Sequence, residues 1–162
     1  MANPEKRTTP LLTADDLEIG EVYDIGTYTP TRADIIEFAE RWDPQPFHTD
    51  LDASRAGYFG DVIASGAHTI AIYQRLAVAG IYSKWDVLAG RRLLDVEFHR
   101  PVRPGSPLGG RVTIASVDLS DTRRAPVLLH SELRDADSNV VLSLDVDVLI
   151  WRKSGGSQTT HH

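Results

Sequence analysis

The sequence predicts a single α+β domain in which an antiparallel sheet carries its helices on one face. Three observations support this class. One strand pattern and several short helical patterns precede one long apolar helix, and four strand patterns then follow in succession. Short turns join the last three strands, which must pair antiparallel because a parallel pair needs a long crossover. The 162 residues fit one domain.

The first half of the chain alternates short strand and helix patterns. Residues 22–28 favour a strand, and residues 29–42 favour a helix with Thr31 as its N-cap and Asp34 in the capping-box position. Two prolines, Pro44 and Pro46, end this helix, so we expect the stretch 42–52 to contain neither helix nor regular strand. Residues 49–57 then predict another short helical turn.

Residues 62–84 contain the one long helix candidate. Small and apolar residues recur at helical spacing around most of its circumference, which is typical of a helix buried on nearly every side. The positions that align are Ile63, Gly66, Ala67, Ile70, Ala71, Leu76, Ala77 and Gly80.

Period-2 patterns dominate after residue 90. They predict strands at 93–98, 111–119, 125–135 and 139–151, with a proline- and glycine-rich loop at 99–110. The last strand is the clearest, because apolar residues alternate with polar ones along it. Its apolar face holds Leu142, Leu144, Val146, Val148 and Ile150, and its polar face holds Ser143, Asp145 and Asp147.

Composition excludes several classes of function. The formal net charge of −6 argues against a general nucleic-acid binder, which needs a broad basic face. The chain has no cysteine, so disulfides, zinc–thiolate sites and thiol nucleophiles are excluded, in agreement with a cytoplasmic location. It shows neither a secretory signal nor an apolar run long enough for a membrane span.

The polar, aperiodic ends predict flexible segments at 1–12 and 153–162 around one domain at 13–152. We assign no metal role to the two terminal histidines.

The segment between Asp43 and His48 is the first candidate for chemistry. Its two prolines stiffen the loop, so polar side chains there are held in place at low cost. A histidine titrates near neutral pH, and a carboxylate beside it completes an acid–base pair. The alternative interpretation is a turn that starts with an Asp-Pro pair and carries an unremarkable surface histidine.

A second candidate lies at the start of the long helix, at Ser65 and Gly66. Helix N-termini carry unpaired N–H groups and partial positive charge, and glycine lets a ligand approach the backbone. The pattern therefore suits a site for a carbonyl oxygen that gains negative charge. The alternative is simple capping by Ser65, with Gly66 present for tight packing.

Together, "FAERWDPQPFHTD" and "FGDVIASGAHT" closely resemble the MaoC-like dehydratases, which include the (R)-specific enoyl-CoA hydratases. The later "FHRPVRPGSPL" matches a turn that this family carries between strands. The resemblance covers about residues 14–152. The matching positions are Phe38, Ala39, Asp43, Pro46, His48, Asp50 and Gly66.

The resemblance implies a hotdog fold, in which a curved antiparallel sheet wraps a long helix. It also implies homodimers, joined through their sheet edges with the active sites at the interface. The implied reaction is reversible addition of water to a trans-2-enoyl-CoA thioester, giving an (R)-3-hydroxyacyl-CoA. It requires no metal and no cofactor apart from the coenzyme A of the substrate.

The resemblance further implies roles for single residues. Asp43 and His48 would activate one water, with His48 as the base toward it and Asp43 exchanging the α-proton. The thioester carbonyl would lie on the N–H of Gly66. The residues expected to contact substrate are Trp42, Phe47, Ser65, Arg100 and Arg103. From their place near the later turn, the candidates for the coenzyme A phosphates are Arg91, Arg92, Arg100 and Arg103, and the alternative is that they are ordinary solvated arginines at strand ends.

The chain also departs from the family pattern. Trp42 and Gln45 replace a common glycine and asparagine, and Ser106 replaces a common aspartate. "SGAH" replaces "HGM", so we expect His68 to be a hydrogen-bonded packing residue rather than a third catalytic group. No partner is predicted for His99 or His130.

Three other functions remain open. A hotdog thioesterase would direct water at the carbonyl with a carboxylate. A non-catalytic hotdog subunit of a hetero-oligomer would supply only an interface, and a plain binding module would hold an acyl thioester without turnover. The Asp43–His48 pair favours the hydratase over the first two, and binding without turnover would reveal the third.

Overall fold

The computed structural model describes residues 9–153 and contains one five-stranded sheet with helices packed against it. In chain order the elements are a 3-10 turn (Ala14–Asp16), β1 (Val22–Tyr28), α1 (Arg32–Trp42), α2 (Pro46–Thr49), α3 (Leu51–Ala56), α4 (Gly66–Gly80), a 3-10 turn (Tyr82–Lys84), β2 (Val87–Phe98), β3 (Leu108–Val117), β4 (Arg124–Arg134) and β5 (Val140–Trp151).

The strands lie in the order β1-β3-β4-β5-β2, and every neighbouring pair is antiparallel. This confirms the predicted α+β class. Two strands begin earlier than predicted, β2 at Val87 and β3 at Leu108. The first half of β2 lies exposed at a sheet edge, so apolar and polar residues do not alternate along it. At the start of β3, Gly109 and Gly110 resemble loop residues although they pair with β1.

One face of α4 packs against the sheet, where the hydroxyl of Tyr73 lies 2.9 Å from Ser131 Oγ on β4. The predicted bounds 62–84 are wrong, because the helix spans 15 residues, and in the single chain its other face is exposed rather than buried. Alanine suits buried and exposed positions alike, so the composition does not distinguish the faces. The exposed positions are Ala67, Ala71, Gln74, Arg75, Val78 and Ala79.

The end of α4 lies directly on β1 at Gly80. A Cβ placed there stands 2.7 Å from both the Cα and the Cβ of Ile25, closer than real Cβ contacts. Gly110 of β3 meets the same side chain, since a Cβ on it stands 2.5 Å from Ile25 Cγ1. The two glycines therefore set how closely α4, β1 and β3 approach.

At the start of α1, Thr31 Oγ1 accepts from the backbone N–H of Asp34, whose carboxylate accepts from the N–H of Thr31, forming the predicted capping box. The prediction that residues 42–52 avoid helix is wrong, because Pro46 is the first residue of the one-turn helix α2. Proline fits there, since the first N–H of a helix has no intrahelical partner. The chain then continues into α3, whose N-terminus is capped by the carboxylate of Asp50.

Ordered contacts extend slightly into both segments predicted to be flexible. The N–H of Leu12 donates to Lys84 O at 2.8 Å, and the N–H of Lys153 donates to Asp15 Oδ2 at 2.9 Å. The rest of that prediction, at 1–8 and 154–162, falls outside the described residues. No helix of the described part of the chain is long and apolar enough to cross a membrane.

Gly80→Ala tests the contact between α4 and β1. Alanine normally stabilises a helix relative to glycine by about 1 kcal/mol. Here we expect the free energy of unfolding to fall by about 1–3 kcal/mol, because the new methyl group overpacks against Ile25. Urea unfolding at one fixed protein concentration measures the change. Gly90→Ala is the control, since a Cβ there meets no atom within 4 Å, and equal stability of the two variants would contradict the packing.

Candidate functional site

The candidate site is built where α1 turns into α2. Asp43 caps the C-terminus of α1, and its N–H donates to Ala39 O at 2.8 Å. His48 is the third residue of α2, which starts at Pro46. The turn between the two helices brings His48 Nε2 to 3.6 Å from Asp43 Oδ2. The predicted approach of these two side chains is therefore present, while their catalytic role remains a prediction.

The imidazole of His48 is buried and held in one orientation. Its Nδ1 lies 2.6 Å from the carbonyl oxygen of Ile63. Because a carbonyl oxygen only accepts hydrogen bonds, Nδ1 must carry a proton and donate it. In the neutral ring, Nε2 is then the free base, and it is the nitrogen turned toward Asp43.

The carboxylate of Asp43 divides its two oxygens between different neighbours. Its Oδ1 accepts a hydrogen bond from Gln45 Nε2 at 2.7 Å, while Oδ2 faces His48. A separation of 3.6 Å is too long for a direct hydrogen bond between Oδ2 and the imidazole. At this separation, one water or substrate oxygen can form a hydrogen bond to both atoms.

α4 begins beside this pair. The hydroxyl of Ser65 accepts from the N–H of His68 at 3.1 Å, and Ser65 is fully buried. Ser65 therefore caps the helix, as the simpler interpretation proposed, and is not available to contact substrate. Gly66 lies under the ring of Phe98, and a Cβ on it would stand 2.8 Å from Phe98 Cζ.

One cavity of about 460 Å³ joins these groups. Its walls are mainly apolar and aromatic, with the Asp43–His48 pair and the start of α4 at its lining. It is lined by Asp43, Gln45, Phe47, His48, Phe59, Ile63, Ala64, Gly66, Thr69, Phe98, His99, Arg100, Pro101 and Val102. An apolar cavity with a few convergent polar groups is the usual form of a small-molecule site.

The structure separates the predicted substrate contacts. Phe47 and Arg100 line the cavity. Trp42 does not, because it is 68% exposed and lines a second cavity of about 250 Å³ behind α1. Arg103 lies outside the cavity lining, and its Nη1 donates to Phe59 O at 2.7 Å.

Two other arginines considered for phosphate binding are already paired. Arg91 and Arg92 both donate to Asp147 Oδ2 at 2.7 Å and lie outside the lining of the cavity, so their contact with the phosphates stays a prediction. Burial raises the pKa of the Asp147 carboxyl, but the hydrogen bonds from both arginines outweigh burial and hold the pKa below its usual range. Because Asp147 is on β5, the cluster fastens β2 to its neighbour.

Two histidines outside the pair have partners that the sequence did not predict, and a third has the packing role that it did. His99 Nε2 lies 2.7 Å from Ser143 Oγ, and His130 Nδ1 lies 2.8 Å from Asp145 Oδ1. His68 is buried and stacks on Phe38 with ring centroids 4.4 Å apart, which confirms its packing role. The prediction that it is hydrogen-bonded is wrong at Nδ1, which is buried without a partner.

Sequence reasoning missed several contributors to the site, four of which stand out. Gln45, Ile63, Phe59 and Phe98 were assigned no role, although they orient the pair or line the cavity. Gln45 had a usable signal, because it lies between the two prolines and the two candidate residues. The others reach the site through tertiary packing, which local sequence patterns do not report.

Comparisons with known proteins agree on one family. A family model described as "MaoC like domain" matches residues 15–129. The uncharacterized protein YdeM of Bacillus subtilis (strain 168) is 33% identical over 94 residues, which are 58% of this chain and 67% of that protein.

Solved structures show the same arrangement of helices and strands. A MaoC-like dehydratase from Rhodospirillum rubrum has 32% identity and a TM-score of 0.80, and the match covers 88% of this chain and 98% of that one. The R-hydratase PhaJ1 from Pseudomonas aeruginosa has 19% identity and a TM-score of 0.68, covering 85% and 84%. The second likeness concerns the fold alone.

We expect His68 to stay neutral at near-neutral pH. Burial lowers its pKa, and the nearby carboxylate of Asp34 opposes the shift without cancelling it. The ring should therefore titrate below about 6.5 in an NMR pH series. Because the unfolded chain binds this proton more readily, His68 reduces the free energy of unfolding as pH falls below that value.

His68→Phe keeps a ring against Phe38 and removes the titration. Its free energy of unfolding should therefore fall less than that of the wild type between about pH 7.5 and about pH 5.5. If the free energy of unfolding had the same pH dependence in both proteins, the lowered pKa of His68 would be contradicted.

Proposed function

Because this chain belongs to the MaoC-like dehydratase family, we propose that it adds water reversibly to a trans-2-enoyl-CoA and forms an (R)-3-hydroxyacyl-CoA. The observation that carries the proposal is the 3.6 Å approach of Asp43 Oδ2 to His48 Nε2 on the wall of a mainly apolar cavity. A base and an acid in reach of one ligand are what addition of water requires.

In the hydration direction the pair starts with one dissociable proton, on Asp43 Oδ2, and with His48 Nε2 free. Water gives a proton to Nε2 while its oxygen forms a bond to the β-carbon. The double-bond electrons move toward the thioester, and Asp43 Oδ2 gives its proton to the α-carbon. The proton on Nε2 then passes to Asp43 Oδ2 through a water molecule or the new hydroxyl group between them. This step restores the pair and leaves one water added to the substrate.

The start of α4 supports the charge that develops on the thioester oxygen. The N–H of Gly66 belongs to the first turn of the helix, where N–H groups have no intrahelical partner. Such a group at a helix N-terminus stabilises an enolate oxygen. The ring of Phe98 lies half-exposed beside Gly66 and would have to turn aside for the carbonyl to enter.

The remaining cavity residues suit an acyl thioester. Phe47 and the other apolar wall residues would contact the acyl chain, and Arg100 at the lining supplies positive charge for a phosphate of coenzyme A. The chemistry uses only side-chain protons and a backbone dipole, so we propose no metal and no cofactor beyond the coenzyme A of the substrate.

We further propose that the protein forms homodimers. β2 is a 12-residue edge strand, and edges of this length are normally covered. Three large apolar residues on it, Leu88, Leu93 and Phe98, are exposed, and the outer face of α4 is exposed as well. A second copy paired along β2 would cover the edge and lie next to Phe98 at the cavity.

The direct test is hydration of trans-2-enoyl-CoAs of increasing chain length and branching, followed by loss of the conjugated thioester absorbance. Hydration of at least one member supports the proposal. Release of free coenzyme A without hydration would instead identify a thioesterase. Tight binding of acyl-CoA with neither reaction would identify a non-catalytic binding subunit.

Asp43→Asn and His48→Gln should each fold and lose turnover by about 10²–10⁴-fold, the usual contribution of a general acid or base. Initial rates with the best enoyl-CoA measure the loss, and circular dichroism checks the fold. The control is Asp52→Asn, an exposed carboxylate of α3 outside the cavity lining. Near-native turnover in both site variants would remove the pair from the mechanism.

Leu93→Lys should weaken the dimer, because it places a charge on the exposed edge strand. Sedimentation velocity over a dilution series should show monomer at concentrations where the wild type is dimeric. Leu119→Lys is the matched control, since Leu119 is similarly exposed, at 45% against 49%, but lies outside the strands. A wild type that remains monomeric and folded at every concentration would rule out the dimer.

A further inference from the structure

Gln45 lies between the two residues of the proposed acid–base pair and contacts both. Its backbone N–H donates to Asp43 O at 2.8 Å, and its backbone carbonyl accepts from the N–H of His48 at 2.9 Å. The backbone of Gln45 is therefore fixed relative to both members of the pair.

The flanking prolines remove most of the remaining freedom. Pro44 and Pro46 have fixed φ angles, and a residue that precedes proline is held in extended geometry. Gln45 has φ −77° and ψ 142°, which is this geometry. Its side chain consequently starts from a defined backbone, and its amide reaches Asp43 Oδ1 at 2.7 Å.

The chemistry of the amide decides what this contact does. With any proton of Asp43 on Oδ2, Oδ1 only accepts, so the amide must present its NH₂ group to Oδ1. That hydrogen bond occupies Oδ1 and leaves Oδ2 as the oxygen that carries or receives a proton. Oδ2 is also the oxygen that faces His48 Nε2.

We infer that Gln45 is a positioning residue, which holds the carboxylate of Asp43 so that Oδ2 alone exchanges protons with substrate and with His48. This role rests on the proposed function, because it concerns the same proton transfers. Without the amide, the carboxylate rotates about its Cβ–Cγ bond and the two oxygens become equivalent. The proton that Asp43 gives to the α-carbon and the proton that it takes back from His48 would then no longer pass through the same oxygen.

Gln45→Met tests the inference, because methionine is similarly long and unbranched but has no donor. We expect kcat to fall about 10- to 100-fold, as a small misplacement of a reacting group does, with KM for the enoyl-CoA within about twofold of wild type. The affinity for a saturated acyl-CoA, which cannot react, should stay unchanged.

Thr49→Val is the matched control. It also removes one side-chain hydrogen bond from this loop, the one from Thr49 Oγ1 to Gln45 O, but leaves the amide on Asp43. It should keep wild-type kcat and lose about as much stability as Gln45→Met. Wild-type kcat in Gln45→Met, or an equal loss of kcat in Thr49→Val, would overturn the positioning role.

Crystal structures of the unliganded wild type and Gln45→Met provide a second measurement that does not depend on activity. The distance from Asp43 Oδ2 to His48 Nε2 should remain near 3.6 Å in the wild type and lengthen in the variant. An unchanged carboxylate in the variant would contradict the inference. A wild type that hydrates no enoyl thioester would sink the proposed function, and this distance would still decide the role of Gln45.

Discussion

The hydrogen bond from His48 Nδ1 to the carbonyl oxygen of Ile63 is the constraint on which the candidate site depends. It ties α2 to the segment that leads into α4, so the loop with the acid–base pair and the helix start form one unit. Because both groups are buried, water does not compete for this contact, and the low local dielectric strengthens it. It also selects the tautomer whose free nitrogen faces Asp43.

The remaining features of the site follow from that anchor. Once the ring of His48 is fixed, the turn at Pro44–Pro46 decides where Asp43 stands, and Gln45 decides which oxygen faces the ring. The glycine at the start of α4 leaves room for the ring of Phe98, which belongs to the edge strand. Site and sheet edge therefore meet at Phe98, so the proposed second copy along β2 would change the surroundings of the cavity.

Local sequence signals predicted what local physics controls. The capping box of Thr31 and Asp34 and the alternation along β5 depend on residues a few positions apart, and both occur as predicted. The closeness of Asp43 and His48 was also predicted, from the family resemblance, but the one-turn helix α2 that carries His48 was not.

Contacts between distant residues were not predictable from one sequence. Arg91 and Asp147 are 56 residues apart, and their pairing depends on the register of β2 against β5. Ser65 and Trp42 adjoin candidate residues in the chain but face elsewhere, since Ser65 caps α4 and Trp42 ends α1 toward the second cavity. The exposure of one face of α4 likewise depends on the whole sheet. The five strands of one chain cover one face of the helix and leave the other exposed.

The most direct test of the central claim is the configuration and isotope content of the product formed from an enoyl-CoA in D₂O. Addition of water by the Asp43–His48 pair predicts the (R)-3-hydroxyacyl-CoA with one deuterium at the α-carbon, and no free coenzyme A. A product of (S) configuration, a racemic product, or release of coenzyme A in place of hydration would contradict the account.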